Sequence, residues 1–482
     1  MNENFDPEGK RLPIKLDSTS NGEFAPIPLS PSVLAANRLA RARIGEAAKR
    51  IGCSRRTFLK SACGAAATLL AMNAAFAQFK KTGGFFDLPG EAALDRALAE
   101  AAVGGDEFIF DIQGHHVNPK GKWRRLDNQW LYILRFFPQS GCGEDAIECF
   151  SAEHFIREVF LDSDTDMAVL SAVPAAPEDN PLSTEEAAAT RAMVEAMEGE
   201  HRLLIHGLVH PNLKGQIEAM AVQKEKFGVA AWKTYTQWGP EGTGYWLDDP
   251  VFGIPFIEKA QQLGVNIICI HKGLPLFRLK PEYGTCRDIG PVAKRYPDVA
   301  FIVYHSGYEP DKPEGPYDPV SPRSGVDILI KSLQDQGIKP NSNVYAELGS
   351  TWRLVMKDPD QAAHLLGKLF KYVGEDNVLW GTDSIWYGSP QDQIQAFRTF
   401  QIAEPLREKY GYPELTASLR AKVFGLNAAK PYDISPEEIQ MRNAKDRVNK
   451  VKQAYRENPE PSFTTNGPRT WREFLALKQM EG

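Results

Sequence analysis

Five of the chain's nine histidines fall just after short apolar runs, together with a late aspartate, and residue types of that kind can hold a metal ion or move protons. "FDIQGHH" supplies Asp111, Gln113, His115 and His116, "LLIHGLVH" leads to His210, "VNIICIH" ends in His271 and "VAFIVYH" in His305. "VAAWKTY" contributes Lys233, "NVYAELG" Glu347 and "NVLWGTD" Asp383. Imidazoles and a carboxylate converging on one point can hold a divalent ion with an open position for water. A further histidine at the rim would serve as general acid or base. A single histidine at the end of an apolar run is more often a hydrogen-bonded loop or core residue. The weight lies on His271, His305 and Asp383 together, because three separate runs deliver them; His116 and His210 carry less.

The eight runs, from "FIFDIQ" at 108 to "NVLWGTD" at 377, alternate with helical patterns such as "STEEAAATRAMVEAMEG" and "SGVDILIKSLQDQG". Nearly continuous apolar runs suit strands covered by helices on one face and a closed interior on the other. The expected fold is a (β/α)8 barrel, class α/β, over residues 106–430, in which chemistry gathers at the C-terminal ends of the strands. The doubly wound alternative would carry a glycine-rich loop after its first strand; "QGHHVNPKG" is not one. Residues 117–150 are too long for an ordinary loop and read as a cap inserted after strand one. Residues 431–482 read as a charged helical extension that wraps the barrel or serves contact between subunits of a homo-oligomer.

Upstream, "SRRTFLKSACGAAATLLAMNAAFAQ" joins Arg55 and Arg56 to a short apolar stretch ending in Ala75-Phe76-Ala77. This has the form of a twin-arginine export signal over residues 54–77, preceded by a leader at 1–53 read as largely disordered with a basic helical end, and followed by a lead-in at 78–105. A soluble periplasmic protein with the twin-arginine machinery as a transport partner is the corresponding expectation. A formal charge of −6 argues against nucleic acid as a partner. Of six cysteines, cleavage after Ala77 would leave Cys142, Cys149, Cys269 and Cys286, too few for a disulfide framework; Cys142 and Cys149 are near enough in sequence to pair, and two free thiols are an equal alternative.

The order "FDIQGHH", "IICIHKG", "FIVYHSG", "VLWGTDSIWYGSP" resembles the amidohydrolase-related family, the branch that includes aminocarboxymuconate-semialdehyde decarboxylase and related metal-dependent hydrolases. The resemblance implies His115, His271 and Asp383 as ligands of one divalent ion, Zn2+ with Mn2+ or Fe2+ as alternatives, and His305 as the proton-transfer residue. It breaks at Gln113, where the family pattern has a ligand histidine. Three outcomes stay open: Gln113 ligates through its oxygen, His116 replaces it, or the site works without metal. Lys233, Lys272 or Arg353 could hold a substrate carboxylate. Trp238, Tyr245, Trp246, Trp352, Trp386 and Tyr387 are candidates for an aromatic wall around a small flat substrate, or for simple lid packing. The implied activity is hydrolysis of a C–N or C–O bond, with non-oxidative decarboxylation of an unsaturated or aromatic acid as the alternative, and a non-catalytic binding protein on a degenerate barrel as a reading from another class.

Overall fold

In the computed structural model, which describes residues 12–16, 29–134, 146–275, 279–322 and 325–459, the eight apolar runs form eight parallel strands. They are β1 (Phe110–Gly114), β2 (Met167–Leu170), β3 (Leu203–Leu208), β4 (Ala231–Tyr235), β5 (Ile267–His271), β6 (Ala300–Tyr304), β7 (Val344–Glu347) and β8 (Val378–Leu379), each paired with the next in sequence order. The ring closes where Ile112 N–H donates to Trp380 O at 3.2 Å, Asp383 N–H to Gln113 O at 3.0 Å and Ile385 N–H to His115 O at 3.0 Å. The chain is a (β/α)8 barrel, as expected.

Alternation along each strand sorts the residues between two environments. Ile112, Val169, Ala231, Cys269, Ile302 and Leu379 fill one buried cluster, the barrel interior. Their neighbours in sequence, among them Ala168, Ile205, Trp232, Ile268, Val303 and Ala346, belong to another, packed on the surrounding helices. The strands read as continuous apolar runs because both faces are buried. His271, Glu347 and Asp383 share the inward parity.

Strand β1 departs from strict alternation. Asp111 pairs with Ala168 and Gly114 with Leu170, so three residues on β1 span two on β2. This bulge reverses the parity beyond it. Gln113 and His115 turn toward the barrel's centre, and His116 turns away. Gly114 fits between Phe155 and the carbonyl of Val169, where a Cβ would collide.

The helices begin and end where side chains can satisfy their free backbone groups. Ser183 and Glu186 form a capping box at Thr184–Glu195, and Gly264 and Gly337 adopt positive φ after the helices that precede them. After β1 the chain continues through the region of the expected cap, which contains the helix Gln129–Leu134 and the short helical turn Ala146–Phe150, and then enters the helix Ala152–Ile156. Cys149 is disulfide-bonded; Cys142 lies outside the described residues, as do Trp471 and Phe474 of the tail. The helices Pro436–Asn443 and Arg447–Glu457 seal the barrel's other end, where His201 Nε2 meets Asn443 Oδ1 at 2.6 Å and the Arg202 guanidinium pairs with Asp446.

Within the leader the described residues include the expected basic helical end, and it is packed. Pro31–Arg50 is one helix that buries Val33, Ala36, Ala40 and Ile44, and its partner Ala62–Gln78 buries Cys63, Leu69, Met72, Ala75 and Phe76. The apolar faces that would mark a signal here cover each other and the barrel. Asn73 fastens the second helix by accepting from Phe86 N–H at 2.9 Å and donating to Phe86 O at 2.7 Å; Phe86 belongs to a short strand that pairs with Phe400–Ile402. No described helix is long and apolar enough to cross a membrane. Asn73→Ala removes both bonds and is expected to lower the stability of the whole protein by about 1–3 kcal/mol, read from the midpoint of guanidinium unfolding at unchanged slope.

Candidate active site

At the C-terminal rim of the barrel Gln113, His115, His271, His305 and Asp383 meet, all essentially inaccessible to solvent. Asp383 Oδ1 lies 3.2 Å from His115 Nε2 and 3.2 Å from Gln113 Nε2. Gln113 Nε2 lies 3.4 Å from His305 Nε2, which is 3.2 Å from His271 Nδ1. The bulge of β1, the ends of β5 and β6 and the turn after β8 thus deliver their residues to one chain of contacts at the rim.

The far side of each imidazole is fixed by a backbone carbonyl, which can only accept. His115 Nδ1–H donates to Ser171 O at 2.6 Å, His305 Nδ1–H to Gly349 O at 2.7 Å and His271 Nε2–H to Leu274 O at 3.0 Å. In the neutral rings the remaining nitrogens are therefore lone pairs, and they face each other or the Asp383 carboxylate. Imidazoles pinned in this way are what a metal site requires. Among the described residues no three His, Cys, Asp or Glu side chains close on one point as a complete cage. The donors stand as two contacting pairs, His115 with Asp383 and His271 with His305, and the Gln113 amide joins them. Gln113 Oε1 is buried without a hydrogen-bond partner, and exchanging the amide's two ends places that oxygen among the lone pairs. In chemistry the donor set fits a divalent ion, with Gln113 as its neutral member and His115, not His116, as the imidazole from β1.

Burial sets the proton inventory. It lowers His305 to about 4, against the raising influence of the Asp383 charge, and holds His271 well below its usual range, helped by His305 and Lys233. Burial pushes the Asp383 carboxyl up, but the His115 bond, the nearby imidazoles and a hydrogen bond from Ser350 Oγ overcome it and keep the group ionised far below the ordinary carboxylate range. Glu347, beneath the cluster, is raised to about 8 by burial although it accepts His305 N–H at 2.9 Å. Asp111 is raised by burial to about 7 while it holds the backbone N–H groups of Gln113 and Thr382. At neutral pH His271 and His305 are thus neutral imidazoles beside one carboxylate.

Two glycines make room. A Cβ on Gly349 would strike Gln113 Oε1 and Glu347 Oε1, and one on Gly381 would strike Glu347. His305, Ser350 and Asp383 all take positive φ, at 63°, 54° and 60°, a strain that residues other than glycine accept at functional sites.

Other sequence candidates fall on both sides of this boundary. Lys233 stands on the inward face of β4 with its ammonium 3.4 Å from the centre of the Tyr304 ring. Trp386 stacks on His115 at 5.8 Å, with Trp130 behind it at 6.3 Å. Lys272, one residue past His271, points to the opposite face, and Asp288 and Tyr283 O hold its ammonium at 2.9 and 3.0 Å, so it is not a substrate contact. Trp238 packs 4.1 Å from His210. Trp246 lies against Arg287 and Trp352 against Phe397, and Tyr245 bonds Thr234 behind β4. Arg353 donates to Lys15 O. His116 bonds Thr190 Oγ1 at 2.8 Å and lines a separate cavity of about 460 Å3 with Glu148, Glu153 and His154. Ser350 escaped sequence reasoning; its hydroxyl links Asp383 to Tyr387 OH, the latter at 2.8 Å.

The amidohydrolase family profile matches residues 150–434, more than half of the chain. The chain belongs to the amidohydrolase family. Solved structures with similarity to this amidohydrolase include a 2,6-dihydroxybenzoate decarboxylase from Rhizobium, 14% identical over 68% of this chain and 99% of that one, TM-score 0.40. A 5-carboxyvanillate decarboxylase from Sphingomonas paucimobilis is 15% identical over 68% and 100%, TM-score 0.41. Another from Novosphingobium aromaticivorans, solved with manganese and a nitrobenzoic acid, is 14% identical over 72% and 99%, TM-score 0.42. No curated protein matches the chain.

His210 offers a clean pH test because it lies outside the cluster. Burial lowers it to about 3, whereas in the unfolded chain it titrates near 6.5. Above that value neither state binds the proton; below it only the unfolded state does, so stability is lost as the pH falls from about 6.5 toward 3. The stability cost of His210→Gln is expected to shrink by about 2 kcal/mol between pH 7 and pH 5, measured by urea unfolding at both values; a constant cost would contradict a buried neutral ring.

Proposed function

We propose that this amidohydrolase removes carbon dioxide, without oxidation, from a small flat aromatic or unsaturated carboxylic acid, using one divalent metal ion. The observation that carries the reading is the ring of inward lone pairs around Asp383, each imidazole pinned through its other nitrogen, in a rim closed to solvent. Burial favours decarboxylation over hydrolysis, because a carboxylate stripped of water loses its charge more readily into the departing carbon dioxide. The parallel rings of Trp386 and His115 suit a planar substrate, and Lys233 supplies positive charge below it.

His115 Nε2, His271 Nδ1, Asp383 and Gln113 Oε1 would hold the metal. Imidazoles suit zinc, while the amide oxygen leans toward a harder ion such as manganese. When bound, the ion supplies fixed positive charge that orients and polarises a substrate oxygen. His305 Nε2 carries the proton. A bound carboxylate raises its low pKa, so that it is charged in the complex. The bond to the carboxylate then breaks, its electron pair stays on the substrate carbon, and the proton from Nε2 joins that carbon as carbon dioxide leaves; solvent restores the proton. Trp386 and Trp130 exclude water. The SRRTFLK segment supports export of the folded protein to the periplasm by the twin-arginine route. Hydrolysis of a C–N or C–O bond is the second reading, because the same lone pair on His305 could take a proton from water.

Incubation with hydroxylated benzoic and unsaturated acids in deuterium oxide separates the two. Decarboxylation gives carbon dioxide and one deuterium on the vacated carbon; cleavage of amides or esters without gas would favour hydrolysis instead. Asp383→Asn is expected to lower kcat/KM by roughly 100-fold or more with an unchanged circular dichroism spectrum, and retained turnover would falsify its role.

Elemental analysis of protein prepared with metal supplied is expected to find about one equivalent of a divalent ion. Gln113→His, which replaces the weakest donor by an imidazole, is expected to tighten zinc roughly tenfold or more in competition with a chelator. Metal below about a tenth of an equivalent in both proteins would remove the metal from the mechanism.

A further inference from the structure

A short stretch far upstream of the barrel reaches the loop that follows Asp383. Ile14, Lys15 and Leu16 are buried. The Lys15 ammonium donates to the carbonyls of Tyr387 and Ser389, both at 2.7 Å, and lies 3.4 Å from Asp392 Oδ1. Its backbone N–H donates to Asp392 Oδ2 at 3.0 Å, and its carbonyl accepts from Arg353. A buried cation persists only where partners replace its water, and here two of the partners are main-chain atoms of one loop.

That loop carries the wall of the site. Trp386 stacks on His115, and Tyr387 OH meets Ser350 Oγ, which donates to Asp383. Arg353, held on Lys15 O, lies 5.6 Å from the Tyr387 ring. Lys15 touches the loop's backbone and none of the clustered histidines, so it braces the site without filling it.

We propose that residues 12–16 are a brace of the active site, with Lys15 as a positioning residue for Trp386 and Tyr387, and that the segment through the twin arginine therefore stays in the working protein. A second observation supports retention. Ala75 and Phe76, at the A-x-A sequence where a signal would be cut, lie buried inside the helix Ala62–Gln78, which Asn73 fastens to the barrel. Ala77 and Gln78 themselves are exposed at the helix's end, but presenting the A-x-A sequence for cutting would require the last turn, with Ala75 and Phe76, to leave the core, and removal of residues before Gln78 would leave Asp392 and two loop carbonyls without their cation.

The inference rests on Asp383 and Trp386 belonging to the site, so its tests read chain ends and local structure as well as turnover. Full-length protein produced in an exporting bacterium is fractionated, and the intact mass of each folded fraction is measured. Lys15 is expected in every active fraction; a fully active chain beginning at Gln78 would overturn the proposal. In parallel, Lys15→Met is expected to lose turnover about tenfold and to speed amide hydrogen exchange across residues 385–389 about tenfold. Lys15→Arg is expected to return both to within about threefold. Unaltered exchange in that loop on Lys15→Met would refute the bracing role whatever happens to turnover. Should Lys15→Met not fold, the mass measurement decides alone, and it and the exchange data stand even if the substrate class is wrong.

Discussion

The structure turns on lone pairs that face one another. Three imidazoles each give one nitrogen to a backbone carbonyl, at Ser171, Gly349 and Leu274, and so must present the other inward, where they meet each other and an ionised aspartate. In a dry interior such contacts are repulsive unless a cation or a proton lies between them. The donation of Gln113 Nε2 to Asp383 relieves part of that repulsion. The geometry is held in place by the barrel and makes sense only for a site that takes up positive charge.

Holding it costs backbone strain, and the hydrogen bonds around the strained residues show how the fold bears it. His305 has positive φ, but its N–H is taken by Glu347 and its carbonyl by Thr351 Oγ1 at 2.9 Å. Asp383 also has positive φ, with its N–H fixed on Gln113 O across the closing seam. Glu347 can sit in that spot because burial keeps it protonated up to about 8 and because Gly381 leaves it space. The glycine of the "GTD" sequence therefore serves the glutamate of β7, not the aspartate two residues later.

How much of this could be read from the sequence depends on which interactions are local. The eight strands were legible because burial on both faces writes continuous apolar runs, and His271, His305 and Asp383 were legible because they end such runs. Strand parity also contains the information that separates Lys272 from the site, since it follows the inward-facing His271. The choice between His115 and His116 was not legible: it is made by the bulge between Asp111 and Gly114, which depends on pairing with β2 and has no composition signature. Ser350 sits in a turn without periodicity, and the sequence offered nothing to single it out. The contact of Lys15 with residues 387–392 spans most of the chain, and no local pattern in "RLPIKL" announces it; the same holds for the packing of the helix 62–78, whose apolar run after the twin arginine reads as a signal.

Charge balance links the metal to the substrate. Asp383 carries the negative charge of the rim, burial keeps His271 and His305 neutral, and Glu347 is protonated at neutral pH; the Lys233 ammonium, which depresses His271 and His305, offsets Asp383. An anionic substrate entering this closed space would thus find its own charge uncompensated, which in a medium of low dielectric costs several kcal/mol. Protonating His305 supplies one positive charge, but that charge leaves with the proton it gives to the substrate carbon. A divalent ion would supply charge that persists through the proton transfer, so the inward lone pairs and the proposed preference for an acid as substrate would be two consequences of one electrostatic requirement.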